Sequence, residues 1–189
     1  MSVQQYAYII LLLILLIIIF GGIIWVSIYL FREFRQIISW YGIPFVRTPD
    51  HKLQKLIEHI ELWVWQTFLD IWCGDGLILQ YMSQKYPKNR IIGYENSTLP
   101  YELALKRKKE YHCNYTVLNE DFFSAHIANI DIIYSYMMPH LMEKIWRKIE
   151  KECKPGTLLY SNSFPIAGVP LYRIMKFERD QNIYIYVVK

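Results

Sequence analysis

With 189 residues the chain has room for about one domain and an appendage, and its three cysteines, Cys73, Cys113 and Cys153, have neither zinc-site spacing nor the even count of a disulfide framework. A net charge of +4 is no argument for a nucleic-acid partner, though it suits an anionic membrane surface. Apolar residues make up 53% of the sequence, high for a water-soluble protein, and the excess is gathered at the N-terminus.

From Met1 to Phe31 no side chain is charged, and Tyr6 to Leu30 is almost wholly Ile, Leu, Tyr, Phe and Val. A run of about 20 apolar residues crosses a bilayer, so this one is long enough. Gly21-Gly22 does not end it, because glycine is tolerated in membrane helices. Tyr6, Tyr8, Trp25 and Tyr29 lie near its ends, as interfacial aromatics do. The missing basic n-region and cleavage site argue against a cleaved signal peptide. We expect an N-terminal tail at 1–5, a transmembrane helix at 6–31, a juxtamembrane connector at 32–48 and one α/β domain at 49–189. Arg32, Arg35 and Arg47 follow the span and no Lys or Arg precedes it. By the positive-inside rule the C-terminal domain is then cytoplasmic, a reducing compartment that suits scattered thiols.

Pro44 and Pro49 punctuate the connector. Thr48-Pro49-Asp50 reads as a helix start, with Thr48 as cap and Pro49 at the first helical position. Leu53, Leu56, Ile57 and Ile60 share one face of that helix, which is expected to reach about Trp63. Short apolar strands then alternate with helical stretches: strand Thr67 to Trp72, helix Gly76 to Tyr86, strand Arg90 to Tyr94, helix Leu99 to His112 and strand Tyr115 to Leu118. Strand Asp131 to Tyr136, helix Pro139 to Cys153 and strand Thr157 to Ser161 follow. This alternation predicts a parallel, doubly wound sheet. Leu171 to Glu178 and Ile183 to Val188, joined by Arg179-Asp180-Gln181-Asn182, predict a closing antiparallel hairpin.

The segment Leu69-Asp70-Ile71-Trp72-Cys73-Gly74-Asp75-Gly76 joins the first strand to the first helix of the sheet. A glycine turn there brings backbone N–H groups and a helix N-terminus to a ligand. Glu95 ends the next strand, where an acid commonly holds ribose hydroxyls, and Asp121 follows the third. Three acids thus mark the carboxyl ends of successive strands. The five histidines, His51, His59, His112, His126 and His140, have no metal-ligand spacing, and no metal is expected. The run Lys106-Arg107-Lys108-Lys109 near a helix C-terminus reads as a solvated face that opposes the helix dipole.

Asp70-x-x-x-Gly74-Asp75-Gly76 is similar to the first motif, Asp-x-Gly-x-Gly-Asp-Gly, of class I S-adenosylmethionine-dependent methyltransferases. The chain further resembles a family of small membrane-associated protein-lysine methyltransferases, whose named members act on the ATP synthase c-subunit and the adenine nucleotide translocase. The matching pieces are Pro44-Phe45-Val46-x-Thr48-Pro49, the glycine motif, Gly93-Tyr94-Glu95, Asp121-Phe122-Phe123, Tyr136-x-Met138-Pro139, Leu158 and Ser161-Asn162-x-Phe164-Pro165. They keep their order from about Gly42 to Pro165.

The resemblance implies a Rossmann-like class I methyltransferase fold, mostly parallel with a C-terminal antiparallel hairpin, and S-adenosylmethionine as cofactor. It implies that Asp70, Cys73, Gly74 and Gly76 surround the methionine part, that Glu95 binds the ribose and that Asp121 lies at the adenine end. Tyr136, Met138 and Pro139 would line the methyl-transfer site, with Asn162 and Phe164 across from them. The implied substrate is a lysine of a protein, with membrane proteins among the named members' substrates. Trp72 departs from the pattern, standing where the family has its first glycine. A tryptophan there either narrows the pocket or turns outward and packs. Three readings stay open: a protein-lysine methyltransferase, a small-molecule or lipid methyltransferase, and a degenerate, non-catalytic binding module tethered to the membrane.

Overall fold

A computed structural model describes residues 3–39, 47–177 and 182–189. The chain divides into two units, Met1–Pro44 and Phe45–Lys189. The first is helix α1 (Val3–Ser39). Its segment Gln4–Phe31, 28 residues of mean hydropathy 3.3, is long and apolar enough to cross a membrane. The rings of Trp25 and Tyr29 stack at 6.1 Å between centroids. The helix continues past the apolar run, so the first part of the expected connector is helical; Pro44, Phe45 and Val46 lie outside the described residues.

The second unit opens with α2 (Asp50–His59) and continues β1 (Thr67–Asp70), α3 (Leu77–Lys85), β2 (Arg90–Tyr94), α4 (Thr98–Glu110) and β3 (Thr116–Leu118). A 3₁₀ turn at Phe122–Ser124, which has no counterpart in the sequence reading, precedes β4 (Ile132–Ser135). Then come α5 (Pro139–Glu152), β5 (Leu158–Asn162), β6 (Arg173–Met175) and β7 (Ile183–Val187).

The seven strands form one sheet in the order β3-β2-β1-β4-β5-β7-β6. The first five in that order are parallel, and β7 runs antiparallel between β5 and β6. The expected α/β fold with a closing antiparallel hairpin is the fold observed. Strand β6 is shorter than the expected Leu171 to Glu178, its ladder with β7 running from Arg173 to Met175; Glu178 to Gln181, most of the expected turn, lies outside the described residues.

Side chains alternate across the strands. Phe68, Ile91, Ile132, Tyr134 and Tyr160 face Leu53, Leu56 and Ile60 of α2, Leu79 and Met82 of α3 and Ala104 of α4, all in one buried cluster. On the opposite face, Met142 of α5 accepts hydrogen bonds from the hydroxyls of Ser135 and Ser161, and Trp146 packs against Tyr186. Helices on both faces leave the carboxyl edge of the parallel strands as the place where loops gather.

Helix α2 corrects the sequence reading at both ends. Pro49, not Thr48, is its N-cap, and no side chain caps it; the Thr48 hydroxyl pairs with the Tyr134 hydroxyl at 3.0 Å. The helix stops at His59 rather than Trp63, because Ile60 turns to an extended conformation. Lys85 Nζ donates to the carbonyls of Ile57, Glu58 and Ile60, and the Tyr86 hydroxyl donates to Ile60 as well. Donors from α3 thus satisfy the last carbonyls of α2.

Candidate active site

The strand order reverses at β1, which pairs with β2 on one side and β4 on the other, so a crevice opens at their carboxyl ends. The turn after β1 is strapped to both neighbours. Ile71 N–H donates to the Tyr134 carbonyl at 3.1 Å, and Cys73 N–H donates to the Tyr94 carbonyl at 2.9 Å. Gly74 and Gly76 adopt φ of 55° and 75°, which favours glycine. At Gly76 space also matters: a Cβ would sit 3.0 Å from Ala104 Cβ and 3.1 Å from the Tyr115 hydroxyl.

Two buried carboxylates lie at this turn. Asp70 is 3% exposed, and burial, then the neighbouring charge of Glu95, pushes its carboxyl well above the usual range. Glu95 is also 3% exposed, and burial raises its pKa too. Its oxygens accept N–H bonds from Gly74 at 2.9 Å and Ser97 at 2.8 Å. Beside it, the buried Oδ1 of Asn96 meets no donor among the described residues. Cys73 is buried and its thiol is pushed well above the ordinary range, so it is no thiolate nucleophile.

The turn has a buttress that the sequence reading missed. Arg107 is not on a solvated face. Its guanidinium pairs with the Asp75 carboxylate at 2.6 Å, donates to the Asp75 carbonyl at 2.8 Å and reaches Gln80 Oε1 at 3.0 Å. The basic run closes α4, where it opposes the helix dipole, but nothing in its composition marks which member turns inward.

Asp121 caps the 3₁₀ turn, its carboxylate accepting from Phe123 N–H at 3.0 Å. The half-buried Trp72 indole turns toward this turn and packs against Phe122 and Phe123, both at 5.7 Å between centroids. Tyr136 and Phe164 stack at 6.5 Å and 25° beyond the ends of β4 and β5. Met138 is exposed, and Pro139 opens α5. Asn162 is fully buried, and its side chain is already engaged: Nδ2 donates to the Tyr134 hydroxyl at 2.7 Å, and Oδ1 accepts from the Ser163 hydroxyl at 3.0 Å. Lys52 completes this chain, donating from Nζ to Ser163 Oγ at 3.0 Å. The geometry therefore gathers Asp70, Cys73, Gly74, Gly76 and Glu95 around one turn. Asp121 belongs to the next strand end, and Asn162 to a polar chain inside the fold.

Residues 70–173 match the ANTKMT methyltransferase domain. The chain belongs to that family. It is a class I, S-adenosylmethionine-dependent methyltransferase. A protein-lysine N-methyltransferase of Saccharolobus islandicus (strain REY15A) is 24% identical over 151 residues, covering 77% of this chain and 94% of that protein. Among solved structures, an RNA methyltransferase from Salinibacter ruber, in complex with S-adenosyl-L-homocysteine, superposes with a TM-score of 0.70 at 22% identity, over 76% of this chain and 94% of that one. A precorrin-6y C5,15-methyltransferase from Geobacter metallireducens GS-15 gives 0.60 at 13% identity, over 76% and 89%. These two establish the fold of the methyltransferase domain and nothing finer.

The residues present suit the family's cofactor chemically. A buried aspartate suits an ammonium group, and a glutamate flanked by an undonated amide oxygen suits hydroxyl donors. The left-handed glycines let backbone come close to a ligand.

Proposed function

We propose that this methyltransferase is a membrane-anchored enzyme that methylates lysine in a protein, with its catalytic domain in the cytoplasm. The observation that carries the cofactor assignment is the pair of buried acids, Asp70 and Glu95, with Asn96 Oδ1 beside them at the strand-reversal point. The lysine acceptor is supported by the Saccharolobus relative, and the anchor by the apolar length of α1.

In this reading Asp70 holds the methionine ammonium, Glu95 and Asn96 Oδ1 accept from the ribose, and Asp121 sits toward the adenine, walled by Trp72 and Phe123. When bound, S-adenosylmethionine supplies a methyl group already activated by a sulfonium, open to in-line displacement by a neutral amine. Tyr136 and Phe164 present aromatic faces to cationic groups at the acceptor end. Desolvation of an entering lysine against these rings disfavours its ammonium form. Asp70 is costly to ionise in the fold alone, and a cation beside it restores its charge.

Calorimetric titration of the detergent-solubilised full chain with S-adenosylmethionine tests the site. Asp70→Asn should weaken binding by roughly tenfold to a hundredfold, the loss expected for a hydrogen bond to a charged group. Equal affinity in Asp70→Asn, or no binding by folded parent protein, would overturn the assignment. With membranes and methyl-labelled cofactor, label should appear in a protein band; label confined to the lipid extract would refute the lysine reading.

A further inference from the structure

The loop between α2 and β1 lies at the amino-terminal edge of the sheet, opposite the glycine turn. It carries Trp63 and Trp65 into solvent at 78% and 84% exposure, with exposed Val64 between them. Two indoles and a valine placed side by side in water mark an interaction surface rather than ordinary surface composition.

The loop is built, not slack. Gln66 N–H donates to the Trp63 carbonyl at 3.1 Å, and Trp63 N–H donates to Gln66 Oε1 at 2.8 Å. The buried Asn89 side chain donates to the carbonyls of Trp63 at 2.6 Å and Gln66 at 3.0 Å. Trp65 is held at φ 75°, a conformation that bulky residues reach only at a cost. Two side chains, those of Gln66 and Asn89, and a strained backbone therefore keep apolar rings pointing away from the core.

The surrounding charge is mostly basic. Exposed Lys88 and Arg90 flank Asn89, and Arg90 stands beside Thr67 in the β1–β2 register. Glu61 is an exposed carboxylate nearby, while Asp131 is engaged by Lys154 and by Thr67 N–H.

We propose that this loop is a second bilayer contact, in which Trp63 and Trp65 lie among the headgroups of an anionic phospholipid surface and Lys88 and Arg90 pair with its phosphates. The proposal rests on the reading that α1 holds the chain at a membrane. Tryptophan suits the lipid–water interface because its ring is apolar and its N–H still finds a partner there. Juxtaposed basic residues select anionic lipid over zwitterionic lipid. An acidic protein surface would satisfy the two cations but not the indoles. Docked by this edge, the domain holds Asp70, Glu95 and Tyr136 on the side away from the lipid, which limits acceptors to lysines of segments outside the bilayer.

The test uses the full chain in vesicles of phosphatidylcholine, with or without phosphatidylserine, brominated on the acyl chains near the headgroup. The emission of Trp63 and Trp65 is taken as the difference between the parent and a Trp63→Phe/Trp65→Phe variant. Both side chains are exposed, so the fold should survive, and cofactor titration verifies it. That difference emission should be quenched about twofold more in the anionic vesicles, and Lys88→Glu/Arg90→Glu should abolish the excess. Unquenched difference emission overturns the proposal, and equal quenching in both lipids overturns the assignment to an anionic surface. Emission that remains in the double variant includes Trp25 of α1. If it is quenched while the loop is not, the anchor stands and the loop contact falls; if it too escapes quenching, the anchor reading falls with it.

Discussion

Lys52 is 1% exposed, and no carboxylate pairs with it among the described residues. Burial pushes its amine down from 10.5 to about 8. Between those values the unfolded chain binds the proton more tightly than the folded one, so this group makes stability rise with pH across the window. Below about pH 8 its full penalty is present. Other buried groups, such as the Cys153 thiol raised from 9.0 to about 11, act with the opposite sign. The informative quantity is therefore the difference from Lys52→Met. The thermal midpoint of the parent, relative to that variant, should climb as pH rises from 8 toward 10.5. A parallel pH dependence in the two proteins would show that Lys52 is not titrating within the fold. Such a lysine is invisible in sequence, where it is one more basic residue in an amphipathic helix. Asp70 and Glu95 were legible because strand ends and glycine turns are local patterns. Asn96 was not, because an unpartnered oxygen is a property of three-dimensional surroundings.

At the scale of elements, strand β2 and the glycine turn depend on each other through Gly93. A Cβ at that position would lie 2.5 Å from Leu79 Cδ1 and 2.6 Å from Cys73 Sγ, inside contact limits. Both neighbours are buried, so neither has room to withdraw. Gly93→Ala should cost about 1–3 kcal/mol, read as a lower denaturant midpoint. It should also weaken cofactor binding, since Cys73 N–H is strapped to the adjacent Tyr94 carbonyl. A variant with unchanged midpoint would mean the packing around Cys73 yields freely. Element types followed from periodicity, and β2 falls at Arg90–Tyr94 as expected. Element ends did not. The end of α2 is met by donors from Lys85 of α3 and from Tyr86, that helix's C-cap, and β6 extends only as far as its ladder with β7.

For the whole molecule, the proposed membrane anchor turns on α1. Apart from Gln4, Gln5 and Ser27, the side chains described along Gln4–Phe31 are apolar and exposed, and the segment is long and apolar enough to cross a membrane. Full-length protein should stay with membranes through an alkaline carbonate wash. Leu15→Arg with Ile18→Arg, each costing about 2.5–3.5 kcal/mol at a bilayer centre, should release it. Retention of that double variant would place the membrane attachment elsewhere in the chain.

The amino-acid order by itself determined the apolar span, the α/β alternation, the closing hairpin, the glycine turn and two of its acids. Each of these is set by neighbours within a few residues, through side-chain period, turn chemistry or length. Only the tertiary structure decided that Trp72 packs on Phe122 and Phe123, that Arg107 leaves the solvated run to brace Asp75, and that Asn162 is tied to Tyr134 and, through Ser163, to Lys52. Those choices join residues tens of positions apart. They turn on which buried polar group finds a partner and which ring finds a cavity wall, and no local pattern encodes either.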